Sequence, residues 1–384
     1  MAKSYSQDKI KPATGTIGVS STKSFSSRMT RFAFWIITLV ITINNTAYAA
    51  HHAGLPDAIF RLPAGAWASG MGGAVAADPE YMLAWYNPSQ LAQLRNSKAS
   101  LGTGIRSLGR TEAWASYDFR VPPRVGMGVA FVYRGDPFLD NMYDGYYSGG
   151  EVVEERLLNP MAWSAVSLKV GAGYLVSRRF TVGSSVSINY QSLPTYIDLD
   201  GSIYNSSLTS IGAIDVAASY KMTPDLTLSA SIKNLLFSRN SWDIYLGTGL
   251  SPIIDKIIPP VLTLASSHKL KLSERDFTWS ANAAIYLMDG NGSYIGRPEM
   301  VAAVGASWRF VDDLVLKAGI ADLELNGDIY RDFDAYRDGF SPRIAAGFSY
   351  HLTRIRHGMF FNYSITTDRI WAGGDQQIDV TVKF

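Results

Sequence analysis

The stretch Gln376-Gln377-Ile378-Asp379-Val380-Thr381-Val382-Lys383-Phe384 alternates apolar and polar residues and stops on a phenylalanine. In an extended chain successive side chains point to opposite faces. Ile378, Val380, Val382 and Phe384 therefore share one face, and Asp379, Thr381 and Lys383 share the other. A last strand with one side in lipid and the other on a wet lumen closes a transmembrane β-barrel, and these four apolar residues are its C-terminal signal. An edge strand of a soluble sandwich alternates in the same way, so the decision rests on the rest of the chain.

Working back from this strand, the sequence breaks into fourteen segments with a period near two. They are residues 97–107, 111–121, 124–134, 161–176, 180–191, 211–222, 225–237, 260–271, 277–287, 297–310, 314–323, 342–352, 358–367 and 376–384. In the fifth, Phe180, Val182, Val186, Ile188 and Tyr190 oppose Thr181, Gly183, Ser185, Ser187 and Asn189. The second set is too small and polar for a protein core and suits a lumen, water-filled or plugged. The connections sort by parity. Even-numbered segments are followed by tight turns such as Pro122-Pro123, Ser177-Arg178-Arg179 and Thr223-Pro224. Odd-numbered ones, the first excepted, are followed by stretches such as 135–160, 192–210, 238–259 and 324–340. Short turns on one rim and long loops on the other define an outer-membrane barrel; a sandwich has no reason to sort its loops. Tyr117, Tyr133, Trp163, Tyr174, Tyr190, Tyr220, Trp308 and Tyr350, near segment ends, read as interfacial girdles. The fold class is thus all-β: an antiparallel transmembrane barrel of about fourteen strands.

Composition sets the remaining bounds. The chain has 384 residues, of which 47% are hydrophobic, and no cysteine, which excludes a lipoprotein anchor, disulfides and thiolate metal sites. A net charge of +2 without a long basic run gives no footing for nucleic acid. The single long apolar run, Phe32 to Ile43, is shorter than the roughly 20 residues of a spanning helix. It follows Arg28 and Arg31 and precedes Ala47-Tyr48-Ala49, as in a secretory signal peptide cut after Ala49. Residues 1–28 have no role in such a signal; translation from Met29, or an unusually long n-region, accounts for them. The expected organisation is a signal peptide over 1–49, a hatch segment over 50–96 and the barrel over 97–384.

The segment ahead of the barrel does not alternate. It is rich in Gly and Ala, includes Gly70-Met71-Gly72-Gly73-Ala74, and ends in Asn87-Pro88-Ser89-Gln90-Leu91-Ala92. GMGGA, a short Ala/Asp stretch, an aromatic pair and NP-x-x-LA together resemble the entry segment of the PorV-like branch of the FadL-type outer-membrane family. Ser231-Ile232-Lys233-Asn234-Leu235, the run from Pro260 to Leu264, and Ser341 to Tyr350 resemble later strands of that family. Two departures stand out: NPSQ replaces the usual NPAG, and Asp78-Pro79 replaces a paired DD. The resemblance implies that Gly70, Met71, Gly72, Gly73, Asn87 and Pro88 belong to a hatch folded inside or beneath the barrel. Physically, Gly and Ala permit close backbone packing, and Asn87 before Pro88 favours a turn that redirects the chain into the first strand.

No catalytic set is legible. His51, His52, His268, His351 and His357 form neither an HExxH pair nor a ligand spacing, and no nucleophile elbow, P-loop or dinucleotide fingerprint occurs, so neither an enzyme nor a cofactor is expected. Glu151, Glu154 and Glu155 read as a solvated loop. Asp289-Gly290-Asn291-Gly292-Ser293 and the loop with Asp328, Asp332, Asp334 and Asp338 lack the remaining ligands of a calcium loop, so no metal is assigned. Ile253, Ile254, Ile257 and Ile258 form an apolar cluster, read as one face of a short helical turn in an outer loop, and are the candidate docking site for a substrate or partner.

The resemblance implies two functions. A PorV-like barrel acts in type IX secretion, receiving exported cargo proteins and passing them to surface attachment. A FadL-like channel takes up hydrophobic small molecules across the bacterial outer membrane. A plugged structural barrel is the third reading. Each implies outer-membrane lipid, lipopolysaccharide and the outer-membrane assembly machinery as partners.

Overall fold

The computed structural model describes residues 58–106, 110–136, 145–148, 151–154, 163–192, 196–197, 203–204, 207–235, 239–243, 253–257, 260–287, 299–325, 342–353, 358–367 and 374–384. Fourteen strands among them form one closed antiparallel barrel. They are β1 (Lys98–Ile105), β2 (Thr111–Val121), β3 (Val125–Asp136), β4 (Trp163–Leu175), β5 (Phe180–Ser192), β6 (Ser207–Lys221) and β7 (Leu226–Lys233), followed by β8 (Val261–Leu272), β9 (Arg275–Tyr286), β10 (Glu299–Val311), β11 (Leu314–Glu324), β12 (Arg343–His351), β13 (Met359–Thr367) and β14 (Gly374–Lys383). Each strand pairs with its sequence neighbour. The seam closes by β14 on β1, with Lys98 opposite Lys383 and Ile105 opposite Gln376, so no edge is left to pair with another chain.

The strands follow the alternation of the sequence, and two departures have local causes. β6 begins at Ser207 rather than near Ile211, because a register shift at Gly212 interrupts the period of two while the ladder to β5 continues. β7 ends at Lys233 rather than near Phe237. There Asn234 takes a left-handed φ of 55° and its N–H turns to Asp215 Oδ1 at 3.1 Å. Three two-stranded hairpins lie in the long connections: Gly145–Ser148 with Glu151–Glu154, Tyr196–Ile197 with Ile203–Tyr204, and Arg239–Asp243 with Ile253–Ile257.

The faces separate cleanly. Along β5, Thr181, Ser185, Ser187, Asn189 and Gln191 are buried while Phe180, Val186, Ile188 and Tyr190 are exposed outward. Leu101, Phe131, Leu168, Val170, Leu228, Leu264, Val304 and Ile320 continue this apolar belt around the wall. So large and continuous an apolar surface is the one a bilayer covers. Tyr117, Tyr174, Tyr190, Tyr220 and Tyr350 are exposed on the same outer surface, as girdle residues are.

Of the two lumens the alternation allowed, water-filled or plugged, the structure has the plugged one. Asp379, Thr381 and Gln377 are 4% exposed or less, because polypeptide from the N-terminal side fills the barrel. This plug contains α1 (Ala58–Arg61), α2 (Ala66–Gly70), α3 (Leu83–Tyr86) and a 3-10 helix (Pro88–Gln93). Its core, Ala64, Met71, Val75, Met82, Leu83, Trp85 and Leu91, packs with Trp114, Ala130, Val132 and Ala165 of the wall into one cluster. The protein's main apolar core thus lies inside the barrel.

Candidate functional site

The plug touches two opposite walls at glycines. On one side, a Cβ built on Gly305 or Gly319 would lie 2.3 Å from backbone atoms of Met71, and one on Gly72 would meet the Ile320 backbone at 2.8 Å. On the other, Gly126 faces the Leu91 carbonyl, while Gly173 and Gly183 face Pro88. Missing side chains on β3, β4, β5, β10 and β11 therefore let plug backbone lie directly on wall backbone. Gly72 and Gly73 also take φ of 62° and 82°, turning the chain after α2 where a side chain would be strained.

Polar contacts then fix the register of the plug. Ser219 Oγ, on the inner face of β6, gathers Asn87 Nδ2 at 3.3 Å, Ser89 Oγ at 2.6 Å, Gln90 Nε2 at 3.0 Å and Ser229 Oγ at 2.8 Å. Asn87 Nδ2 also donates to the Ala76 carbonyl at 2.7 Å, and its Oδ1 accepts from Ser89, capping the 3-10 helix. The two residues that depart from the NPAG pattern, Ser89 and Gln90, are thus the anchors to β6 and β7. Across the lumen, Asp379 Oδ2 accepts from the Ala66 N–H at 2.9 Å and Ser69 Oγ donates to Gln377 Oε1 at 2.5 Å.

At the long-loop end, Glu112 is fully buried between Arg106 at 2.5 Å and Arg134 at 3.3 Å, and Gln377 Nε2 donates to it. Arg106 also pairs with Asp375 at 2.8 Å. Arg134 donates to the Ile59 and Leu62 carbonyls, both at 2.7 Å, so the guanidinium closes the end of α1. Beneath α1, Lys169 pairs with Asp215 at 2.5 Å and lies 5.2 Å from the Trp85 ring. Burial pushes the Tyr86 hydroxyl well above its ordinary range. It stays a protonated donor to the Ala64 carbonyl at 2.7 Å.

A cavity of about 110 Å³ lies between plug and wall at this end. Phe60, Trp85, Val261, Ala284, Val301 and Ala303 are among its apolar lining, and Lys233, Asn282 and the Arg343–Asp322 pair provide polar points. Asp322 reaches the cavity through a bulge in β11, where its φ is 56° and the register to β10 shifts.

Of the residues singled out from the sequence, Gly70, Met71, Gly72, Gly73, Asn87 and Pro88 all lie inside the barrel against the wall. Ile378, Val380, Val382 and Phe384 share the outer face of the last strand. The isoleucine cluster differs from its reading: Ile253–Ile257 is a β-strand paired with Arg239–Asp243, not a helical turn. β-Branched residues favour extended backbone, which accounts for the strand. Ile258, both acidic loops and the expected signal peptide lie outside the described residues. Among the described residues, no three His, Asp or Glu side chains are grouped to hold a metal. Sequence reading missed Tyr81, Glu112, Trp114, Arg134 and Asp379 as plug anchors. For the four on strands a signal was available: charged or large polar residues at inward positions of the barrel wall.

Fold and interior together define a plugged, closed fourteen-strand antiparallel barrel, matching FadL-type outer-membrane barrels. No family model matches the chain, and no curated protein is similar to it in sequence. Solved structures share its fold at low identity. The toluene transporter TbuX of Ralstonia pickettii superposes with a TM-score of 0.53 at 15% identity, over 84% of this chain and 99% of its own. The CymD monoaromatic hydrocarbon channel gives 0.54 at 14%, over 83% and 96%. A Pseudomonas aeruginosa FadL homologue gives 0.56 at 16%, over 85% and 99%.

Proposed function

We propose that the protein is a FadL-like barrel of the bacterial outer membrane that admits small hydrophobic compounds, with the plug as its movable element. The observation that carries this reading is the cavity beside Phe60 and Trp85. It lies between plug residues on one side and wall residues on the other, so a ligand held there would pass inward by a shift of the plug. Its 110 Å³ is of the order of an engineered apolar cavity of about 150 Å³ that holds benzene. The toluene transporter and monoaromatic hydrocarbon channel of the same fold support a compound of that size. Gly70, Met71, Gly72 and Gly73, and Asn87 with Pro88, are where the plug would slide, because Met71, Gly72 and Pro88 lie there backbone to backbone on the wall, once the bonds of Asn87, Ser89 and Gln90 to Ser219 release. Export through a signal peptide cut after Ala49 belongs to the same proposal.

The test is accumulation of radiolabelled toluene by cells with and without the protein, and with Ala303→Trp, which fills the cavity from β10. Expected is uptake that depends on the protein and falls severalfold in the variant. Equal accumulation in all three strains would sink the reading. The GMGGA segment and its NP turn favour one second reading, a PorV-like secretion shuttle. Exported proteins sharing a C-terminal domain, co-purifying with the barrel in mild detergent, would replace the first reading with this one.

A further inference from the structure

We propose that the short-turn mouth of the barrel is a docking site for an acidic peptide segment of a partner protein. The chain as a whole is nearly neutral, with 35 basic and 33 acidic residues, so a basic concentration at one mouth is segregation rather than excess. The inward alternation that places Thr263 and Ser267 in the lumen continues through Lys269 and Lys271, past the lower edge of the plug. In the same way Asp215 and Ser219 lead to Lys221, Asp118 leads to Arg120, and Asp379 and Thr381 lead to Lys383. Arg95, Arg120 and Lys269 are exposed there.

These cations outnumber their partners. Glu80, in the plug turn at this rim, takes Lys98 at 3.3 Å and Lys383 at 3.0 Å, and Asp276 takes Lys271 at 2.6 Å and Arg309 at 3.5 Å. Among the described residues Arg95, Lys221 and Lys269 form no salt bridge, and the charges of Arg95 and Lys269 bear on Lys221. Lys269 also acts on Glu80 of the plug turn and on Asp276 of the neighbouring strand. Glu80 shows in miniature what the ring accepts: a carboxylate on a short stretch of chain, held by cations of the first and last strands. The remaining cations come from three places in the fold, Arg95 from the plug, Lys221 from β6 and Lys269 from β8. The complementary ligand is a run of carboxylates on a flexible chain, bound by many weak contacts at once. The approach from the periplasm rests on the outer-membrane reading; the ring itself does not.

The test uses the full chain in detergent micelles with a fluorescein-labelled decaglutamate peptide, followed by anisotropy. Saturable binding that weakens with added salt is expected, about tenfold or more weaker in the triple variant Arg95→Gln, Lys221→Gln, Lys269→Gln. Arg239→Gln with Lys256→Gln, in the hairpin of a long connection away from this mouth, should bind like the parent. The heat-dependent gel shift of an intact barrel, kept in each variant, shows that the fold is preserved. No binding of the peptide at about 0.15 M salt would overturn the proposal, as would equal weakening by the hairpin variant. Full displacement of the peptide by phosphatidylglycerol micelles would reassign the ring to lipid headgroups and overturn it too. None of these readouts involves hydrocarbon uptake, so either proposal can fail alone.

Discussion

The Tyr81 hydroxyl donates to Asp379 Oδ2 at 2.7 Å, joining the plug to the last strand across 298 residues of sequence. The same oxygen accepts from Trp114 Nε1 at 2.8 Å, and Asp379 Oδ1 accepts from Asn362 Nδ2 at 2.5 Å. Plug, seam and second strand thus meet at one buried carboxylate. Tyr81→Phe removes the hydroxyl and leaves the Trp114 N–H without an acceptor. An orphaned buried donor costs about 1–3 kcal/mol. Thermal unfolding of the detergent-solubilised barrel should show a lower midpoint, with faster hydrogen exchange confined to the plug. An unchanged midpoint would mean that the contact contributes nothing.

Ser219 is the counterpart on the opposite wall, where one hydroxyl serves Asn87, Ser89 and Gln90. Ser219→Ala should loosen the 3-10 helix more than Ser229→Ala, since Ser229 meets only Gln90 and Ser219. Limited proteolysis between residues 87 and 97 reads the difference. Equal protection in both variants would contradict the assignment.

Gly319→Ala tests the backbone contact. The new methyl would lie 2.3 Å from the Met71 carbonyl carbon, a distance no Cβ tolerates, so plug or wall must move. The strands retain their ladders, so the barrel should form while the plug is displaced. Larger single-channel conductance in planar bilayers is the expected sign. Gly73→Ala, whose methyl meets only Pro63 at 3.8 Å, carries the cost of φ 82° without the wall clash and should leave conductance unchanged.

A fourth prediction concerns pH. Burial, reinforced by the charge of Glu80, raises the Asp78 carboxyl from 3.8 to about 6. A carboxyl that binds its proton more tightly in the folded state favours the fold below its unfolded value, and this contribution is lost as pH rises through about 6. Glu80 runs the other way. Burial opposes its charge, but Lys98 and Lys383 prevail and hold it at about 2, so its contribution is present above 4.5 and lost as pH falls toward 2. Trp67 Nε1 donates to Asp78 Oδ2 at 3.3 Å, which makes Trp67 fluorescence the reporter. A transition near pH 6 is expected, moving to lower pH in Glu80→Gln. A transition that stays in place would show that Glu80 does not bear on Asp78.

Glu112→Gln tests the long-loop end. Removing the charge takes away the buried carboxylate that Arg106 and Arg134 share. Breaking such a buried pair costs about 3–5 kcal/mol. Urea denaturation followed by the gel shift of the folded barrel should register a loss of that order, larger than for Tyr81→Phe.

Much of the architecture was legible because each barrel strand is a local pattern read against two solvents. The alternation of Phe180 to Asn189 needs no distant partner to be recognised, and the turn at Thr223-Pro224 announces itself. Reading failed where the cause was not local. The early start of β6 depends on a bulge, the end of β7 on a hydrogen bond to Asp215, and the strand at Ile253–Ile257 on its pairing with Arg239–Asp243. The Gly/Ala segment was legible as something that packs closely, yet not as the occupant whose backbone lies on Gly305, Gly319 and Gly183.

The sequence by itself determined the barrel: its strand number, the sorting of its loops, and which face of each strand meets lipid. These follow from a period of two and from the rule that backbone groups in a membrane must pair within a closed sheet. Only the tertiary structure decided what fills the lumen and how it is held. The partners of Asp379, Ser219, Glu112 and Glu80 lie tens to hundreds of residues away, and no local propensity encodes a contact that exists only once the sheet has closed around the plug.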